Sequence, residues 1–173
     1  RKPLVTCRNR IMTTLTLASL TGLPAGVTRP DYDPTAVRVG IIHLGIGAFH
    51  RAHQAVFTDD LLRADPRWGI CGVNLPSPLS IDALNAQDGL YTVLQKSSDG
   101  VQPRVIGSLR EALFLGTDRA RLMARFADPA VKETMAKQGN TIAISTSEFA
   151  QSYFRSEKEK YAKLVKKAGI ELQ

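Results

Sequence analysis

The sequence predicts an α/β fold with a partly parallel sheet, and three observations carry that prediction. VRVGIIHLG, from Val37 to Gly45, is rich in β-branched residues and reads as a strand buried on both faces. The period then changes: Phe49, Ala52 and Val56 recur at helical spacing, with Leu61 beyond, until DPRWG ends the run at Asp65–Pro66. WGICGVNL, from Trp68 to Leu75, supplies a second short strand. Strand, glycine turn, helix and strand within about forty residues favour a parallel βαβ unit.

The remaining elements follow in chain order. Residues 1–36, rich in Thr, Gly and Pro, read as an irregular lead-in. Its first part, RKPLVTCRNR and then IMTTLTLASLTGLPAG, loosely imitates a secretory leader. Threonines break the apolar part and no clear cleavage site follows, so Met12 is the expected natural start, with residues 1–11 as added upstream sequence. After the turn-rich PSPLS comes a short helix near Ile81 to Ala86. LYTVLQ and PRVIGSL then flank KSSDG, whose Asp99-Gly100 is a hairpin signal. Thr117 is placed to cap the helix DRARLMARFA, which stops at Asp128–Pro129. NTIAIST, Asn140 to Thr146, reads as a further strand. Ser145 and Glu148 then have capping-box spacing before a final helix ending near Gly169. In that helix Phe154, Tyr161, Leu164, Val165 and Ala168 form an apolar stripe, the pattern of a helix packed on a core.

Composition narrows the function. With 173 residues, 43% hydrophobic and 23% charged, the chain has the material for one ordinary globular domain. No apolar run is long enough to span a bilayer, so no membrane role is expected. The net charge of +7 looks like a nucleic-acid signature, but its distribution argues otherwise. Residues 1–30 contribute +5, residues 151–173 contribute +3, and the stretch between is −1. Basic chain ends are usually solvated tails, and no aromatic-studded basic groove appears, so no nucleic-acid partner is expected. Cys7 and Cys71 lie in unlike contexts without CxxC spacing. They point to reduced thiols and a cytoplasmic setting.

The stretch HLGIGAFHRAHQ carries the chemistry. A glycine turn between a buried strand and a helix can hold a pyrophosphate: the first glycine permits the tight turn, and the second lets backbone approach the phosphate. The helix start then offers unpaired N–H groups. Gly45 and Gly47 fill those two places, while His50 stands where a third glycine is usual. Taken alone, the spacing is equally that of a plain tight turn. The acidic residue usual at the end of the second strand is missing. Asn74 and Ser77 stand there instead, and no carboxylate follows until Asp82. Asn74 or Ser77 can still hydrogen-bond a ribose hydroxyl, and the missing carboxylate repels a 2′-phosphate less, so the choice of NAD over NADP stays open here. His43, His50 and His53 invite a metal reading, but no cysteine completes a ligand set, and no metal site is assigned.

The blocks GIGAFHRAHQAVFTDDLL, WGICGVNLPSP, QDGLYTVLQ and RVIGSLREAL, in this order and at these intervals, resemble the N-terminal part of the mannitol dehydrogenase family. That family comprises long-chain polyol dehydrogenases and fructuronate reductases, and the resemblance covers about residues 38–132. It implies a Rossmann-type dinucleotide-binding region over 37–132, with Gly45, Ile46, Gly47, Ala48 and Phe49 along the cofactor pyrophosphate; His50 in the turn and Asn74 at the second strand's end join them as candidate cofactor contacts on their position in the sequence. It also implies that the proton-transferring groups, a Lys, an Asn and a His at Lys-x4-Asn-x3-His spacing, belong to a second, helical domain. No histidine of this sequence follows a Lys and an Asn at that spacing. The expectation is a truncated oxidoreductase-like NAD-binding domain with no catalytic residues, unable to transfer hydride alone. The sheet face bared by the missing domain is a candidate for self-association.

From about Asp128 onward the chain also resembles the C-terminus of substrate-binding proteins of tripartite tricarboxylate transporters, with a junction expected near Pro129 to Lys132. This leaves two alternatives open: a remnant of a carboxylate-binding transport protein, or a non-functional fusion product. Residues 133–173 would be a strand plus a C-terminal helix added to the Rossmann-type sheet and its hairpin, with TIAIST supplying a further strand of that sheet.

Overall fold

The computed structural model describes residues 14–169. The leader-like pattern, the expected start at Met12 and Cys7 fall outside the described residues. The chain divides into two compact units that meet between Asn140 and Thr141.

In the first unit, three parallel strands form the main sheet in the order β1 (Val39–Leu44), β2 (Gly69–Asn74) and β5 (Leu109–Phe114). The central strand, β2, alternates between two cores because successive side chains leave a strand on opposite faces. Ile70 faces a cluster with Ile46, Ala55, Ile81, Leu84, Ile106, Leu109 and Ala112. Cys71 and Val73 face a second, with Leu113 and Leu122. Helices therefore cover both faces, as a parallel sheet requires. α2 (Gln54–Leu61) and α3 (Leu79–Ala86) supply residues to the first cluster, and α4 (Arg119–Ala127) supplies Leu122 to the second. The α/β class and its parallel βαβ unit are thus present.

β3 (Tyr91–Ser97) and β4 (Gly100–Ile106) form the expected antiparallel hairpin, as a two-stranded sheet of its own. Here PRVIGSL differs from its reading as one strand. It ends β4 at Ile106, turns at Gly107–Ser108, and begins β5, the third parallel strand. Two polar contacts fix that turn: the Gly107 N–H donates to the buried Asp59 carboxylate at 2.8 Å, and the Ser108 hydroxyl donates to the Ala55 carbonyl at 2.7 Å. Both acceptors belong to α2, so the switch between sheets depends on partners some fifty residues earlier.

Other expectations need correction. The single helix after the glycine turn is two, α1 (Ala48–Ala52) and α2, broken at His53, whose φ of −125° and ψ of −85° are not helical. Asp118, not Thr117, precedes α4, and its carboxylate accepts from the Phe114 N–H at 2.9 Å. A further helix, α5 (Pro129–Lys137), runs across the expected 132/133 boundary. Asp128 caps it by accepting from the Ala130 N–H, and Pro129 at its first position donates nothing a helix start needs.

In the second unit, residues 141–146 form no strand, so the proposed completion of the sheet by TIAIST is overturned. A β-branched run supplies propensity only; a strand also needs an edge to pair with, and none pairs here. α6 (Ser147–Lys167) starts one residue later than the Ser145 box implied. Thr146 is the cap, its hydroxyl accepting from the Phe149 N–H at 3.2 Å. Gly169 closes the helix with φ of +67°. The apolar stripe was read as core-packed, yet α6 buries none of its residues, and Phe154 is 70% exposed. Within its own unit this single helix has no second element against which to bury a face.

Candidate functional site

The glycine turn lies at the carboxyl edge of the sheet, between β1 and α1. The Gly45 N–H donates to the Val73 carbonyl at 2.7 Å, tying the turn to β2, and the Gly47 N–H returns to the Gly45 carbonyl at 2.9 Å. Gly45 sits at φ +98°, a conformation closed to most side chains. Arg51 closes the turn from below, its guanidinium donating to the Ile46 carbonyl at 2.8 Å.

Four glycines around this region serve two different ends. At Gly72 an added Cβ would stand 2.3 Å from Ile46 Cγ2, so that glycine exists to let Ile46 sink into the core. At Gly40 it would stand 2.0 Å from the Arg67 carbonyl oxygen. At Gly45 and Gly47 it would meet nothing within 4 Å. Packing inside the protein therefore explains the first two glycines and does not explain the turn. The space beside Gly45 and Gly47 is open, which is what close approach of an external group requires.

The predicted site residues separate accordingly. Gly45, Gly47 and Ala48 share the open turn. Ile46 is 1% exposed and its side chain belongs to the first core cluster, so only its backbone remains for a ligand. Phe49 is 78% exposed, with its ring stacked on His53 at 4.2 Å between centroids. Asn74 ends β2; its amide nitrogen donates to the Ser77 carbonyl at 2.6 Å, which leaves Oδ1 free to accept. α1 is only five residues long and carries no side-chain cap at Gly47. The helix-dipole contribution expected for this turn is correspondingly small, and what the site offers is its local first-turn N–H groups.

His50 goes inward. It is 5% exposed, and its ring lies flat on His43 at 3.7 Å between centroids and 20° between planes. Among the described residues neither ring nitrogen has a hydrogen-bond partner. Burial, then the neighbouring His43 and Arg51, push its pKa down to about 4, so the ring is neutral at ordinary pH. Burial also lowers the pKa of His43. His53 holds its Nδ1 at 2.9 Å from the Phe49 carbonyl. Among the described residues no three His, Cys, Asp or Glu side chains gather as a metal site would need. The histidines shape the turn.

A parallel, helix-covered sheet with an open glycine turn at its carboxyl edge defines a Rossmann-type domain. The chain belongs to the mannitol dehydrogenase family: the model of the mannitol dehydrogenase Rossmann domain matches residues 39–167. That match continues past residues 129–132, where a junction was expected. The uncharacterized oxidoreductase YeiQ of Escherichia coli is 44% identical over 119 residues, 67% of this chain and 24% of that protein. Mannitol 2-dehydrogenase of Pyricularia oryzae is 43% identical over 104 residues, 58% of this chain and 21% of that protein. Among solved structures, the Pseudomonas fluorescens mannitol 2-dehydrogenase ternary complex with NAD and D-mannitol is 37% identical. It superposes with a TM-score of 0.63, covering 68% of this chain and 25% of that one. The chain thus spans about a quarter of the length of these relatives.

Sequence reasoning missed two contributors. Gly72 makes room for Ile46, and its position inside a strand was a readable signal of close approach. Arg51 braces the turn from a position that the sequence marks only as a solvent-facing basic residue.

Proposed function

We propose that this chain binds a nicotinamide dinucleotide, NAD with NADP as the alternative, as the cofactor-binding part of a polyol or sugar-acid oxidoreductase in the cytoplasm. The observation that carries the reading is the pair of glycines that no internal contact requires, facing open space at the carboxyl edge of a parallel sheet. The pyrophosphate rests over Gly45 and Gly47 with the backbone of Ile46, Ala48 and Phe49 around it. The exposed Phe49 ring offers an apolar surface beside it, and Asn74 Oδ1 accepts from a ribose hydroxyl. His50 acts from beneath as the packing support of the turn. Bound NAD would supply the hydride acceptor. We assign proton transfer to none of the three histidines, two of which are stacked and the third tied to backbone, so turnover by this chain alone is not part of the reading. The family match through residue 167 supports one continuous reading over the transporter-remnant and fusion alternatives.

The test is a thermal melt with millimolar NADH or NADPH, on the unsubstituted chain and on Gly47→Val. A ligand at a hundred times its Kd adds about 2.7 kcal/mol, or a shift of roughly 5–10 °C for a chain of this size. The valine Cβ would meet nothing within 4 Å among the described residues, so the variant should melt normally and lose the cofactor shift. A cooperative melt that neither cofactor moves in the unsubstituted chain overturns the proposal.

A further inference from the structure

At the opposite, amino edge of the sheet a cavity of about 450 Å³ is lined by Val37, Arg38, Val39, Arg110, Arg125, Asp128 and Ala130. Its architecture follows from the parallel register. Arg38 immediately precedes β1, Gly69 begins β2, and Arg110 is the second residue of β5. The three chain segments lie side by side with the glycine in the middle. A Cβ at Gly69 would stand 2.7 Å from the Arg38 carbonyl oxygen, 2.6 Å from Val37 Cγ1 and 3.0 Å from Arg110 Cγ. The missing side chain is what lets the two flanking arginines share one cavity.

The three guanidiniums are not equivalent. Arg125 is already neutralised: its Nε donates to Glu111 and its Nη1 lies 3.4 Å from Asp128. Arg121 also pairs with Glu111, at 2.8 Å. Arg38 and Arg110, by contrast, make no ion pair among the described residues. Arg110 has only a long contact, 3.3 Å, to the Asp88 carbonyl, and lies within the field of Asp33 without touching it. Asp128 is the one acid lining the cavity, and it is committed to capping Ala130 and to Arg125. Two arginines thus line one cavity without an ion-pair partner among the described residues, and an anion placed there would supply the missing partner. The planar guanidinium fork pairs two N–H groups with two oxygens, so two forks suit an oxyanion with at least three oxygens better than a carboxylate. The volume lies within the range of small-molecule pockets and exceeds what a bare oxyanion fills.

We propose that Arg38 and Arg110 form an anion site for a small molecule carrying a phosphate group, separate from the dinucleotide turn at the other edge of the sheet. The test titrates the full chain with inorganic phosphate at constant ionic strength, reading the melting temperature and the heat of binding, with sodium chloride as the reference salt. Phosphate should raise the melting temperature saturably while chloride does not. Arg38→Gln with Arg110→Gln should weaken phosphate binding tenfold or more, and Arg121→Ala should leave it unchanged. Should the double glutamine variant fail to melt cooperatively, Arg38→Lys with Arg110→Lys keeps both charges and removes the forks; the same tenfold loss is expected. A response that chloride reproduces, or equal phosphate binding in the substituted and unsubstituted chains, overturns the proposal. The cofactor-induced shift should survive the arginine substitutions, so this site and the Gly45 turn stand or fall separately.

Discussion

Replacing Asp59 should destabilise the first unit more than any substitution at the open turn. Asp59 is 2% exposed on α2, and its carboxylate is the meeting point of three segments. It accepts the Tyr32 hydroxyl from the lead-in, the Gly107 N–H at 2.8 Å from the turn between the two sheets, and the Arg104 guanidinium at 2.7 Å from β4. Asp59→Ala leaves the buried Gly107 N–H and the half-buried Tyr32 hydroxyl without acceptors and removes the inner counter-ion of Arg104, which keeps Asp60. Each stranded donor costs about 1–3 kcal/mol, and the lost Arg104 contact adds less than a fully buried pair would, because Arg104 is 30% exposed and keeps Asp60. We expect about 4 kcal/mol in total, read as a fall in melting temperature of roughly 8–16 °C. Asp59→Asn keeps Oδ1 as the acceptor for both Gly107 and Tyr32 and loses the Arg104 contact on the other oxygen, so it should cost about half as much. Urea denaturation gives the free energy directly, and circular dichroism gives the melting temperature. A loss under 1 kcal/mol for the alanine variant would refute the claim that this carboxylate holds the hairpin to the parallel sheet.

Three further predictions follow from the site and its surroundings. His50, neutral in the fold with a pKa of about 4, takes up its proton in the unfolded chain nearer its ordinary value, so the unfolded state binds more protons between about pH 4 and 6.5. Stability should therefore fall by about 2–3 kcal/mol as pH drops through that window, a slope that His50→Phe should flatten in urea titrations. Gly72→Ala drives a Cβ against Ile46 and should cost about 1–3 kcal/mol in the same assay, with a weaker cofactor shift because Ile46 anchors the turn. Thr146→Ala should speed amide exchange at the start of α6 by removing a cap worth about 1 kcal/mol, whereas Ser145→Ala should leave that exchange unchanged.

How much of the fold was legible depends on how local its causes are. β1, β2, the hairpin, α3, α4 and α6 carry their own periodicity and turn chemistry, so each announces itself within a dozen residues. The third parallel strand does not. PRVIGSL reads as one strand, and what cuts it in two is a pair of acceptors on α2, Asp59 and the Ala55 carbonyl. The break at His53 is equally non-local. The run from Phe49 to Leu61 has unbroken helical spacing, while the buried His50 stacks on His43 and the exposed Phe49 on His53, fixing α1 in its own orientation before α2 starts. TIAIST fails in the opposite sense, since its β propensity is real and its ladder partner is not there.

The candidate site shows the same division at the scale of single atoms. The letters Gly45-x-Gly47 were readable, but letters cannot say why a glycine is a glycine. Gly72 and Gly45 are identical in sequence and opposite in cause: one is filled from inside by Ile46, and the other opens outward at φ +98°. The backbone conformation and the surroundings of the absent Cβ tell them apart, and neither is written in the letters. His50 makes the converse point. Standing where a third glycine is usual, it was read as a neighbour of the cofactor, yet its ring is packed beneath the turn with both nitrogens unpartnered. A glycine there would bring helix and strand together by absence; the imidazole does so by stacking on His43, and its lowered pKa is the cost of that solution. With a pKa of about 4 His50 stays neutral at mildly acidic pH, so this support beneath the turn should hold until the pH nears 4.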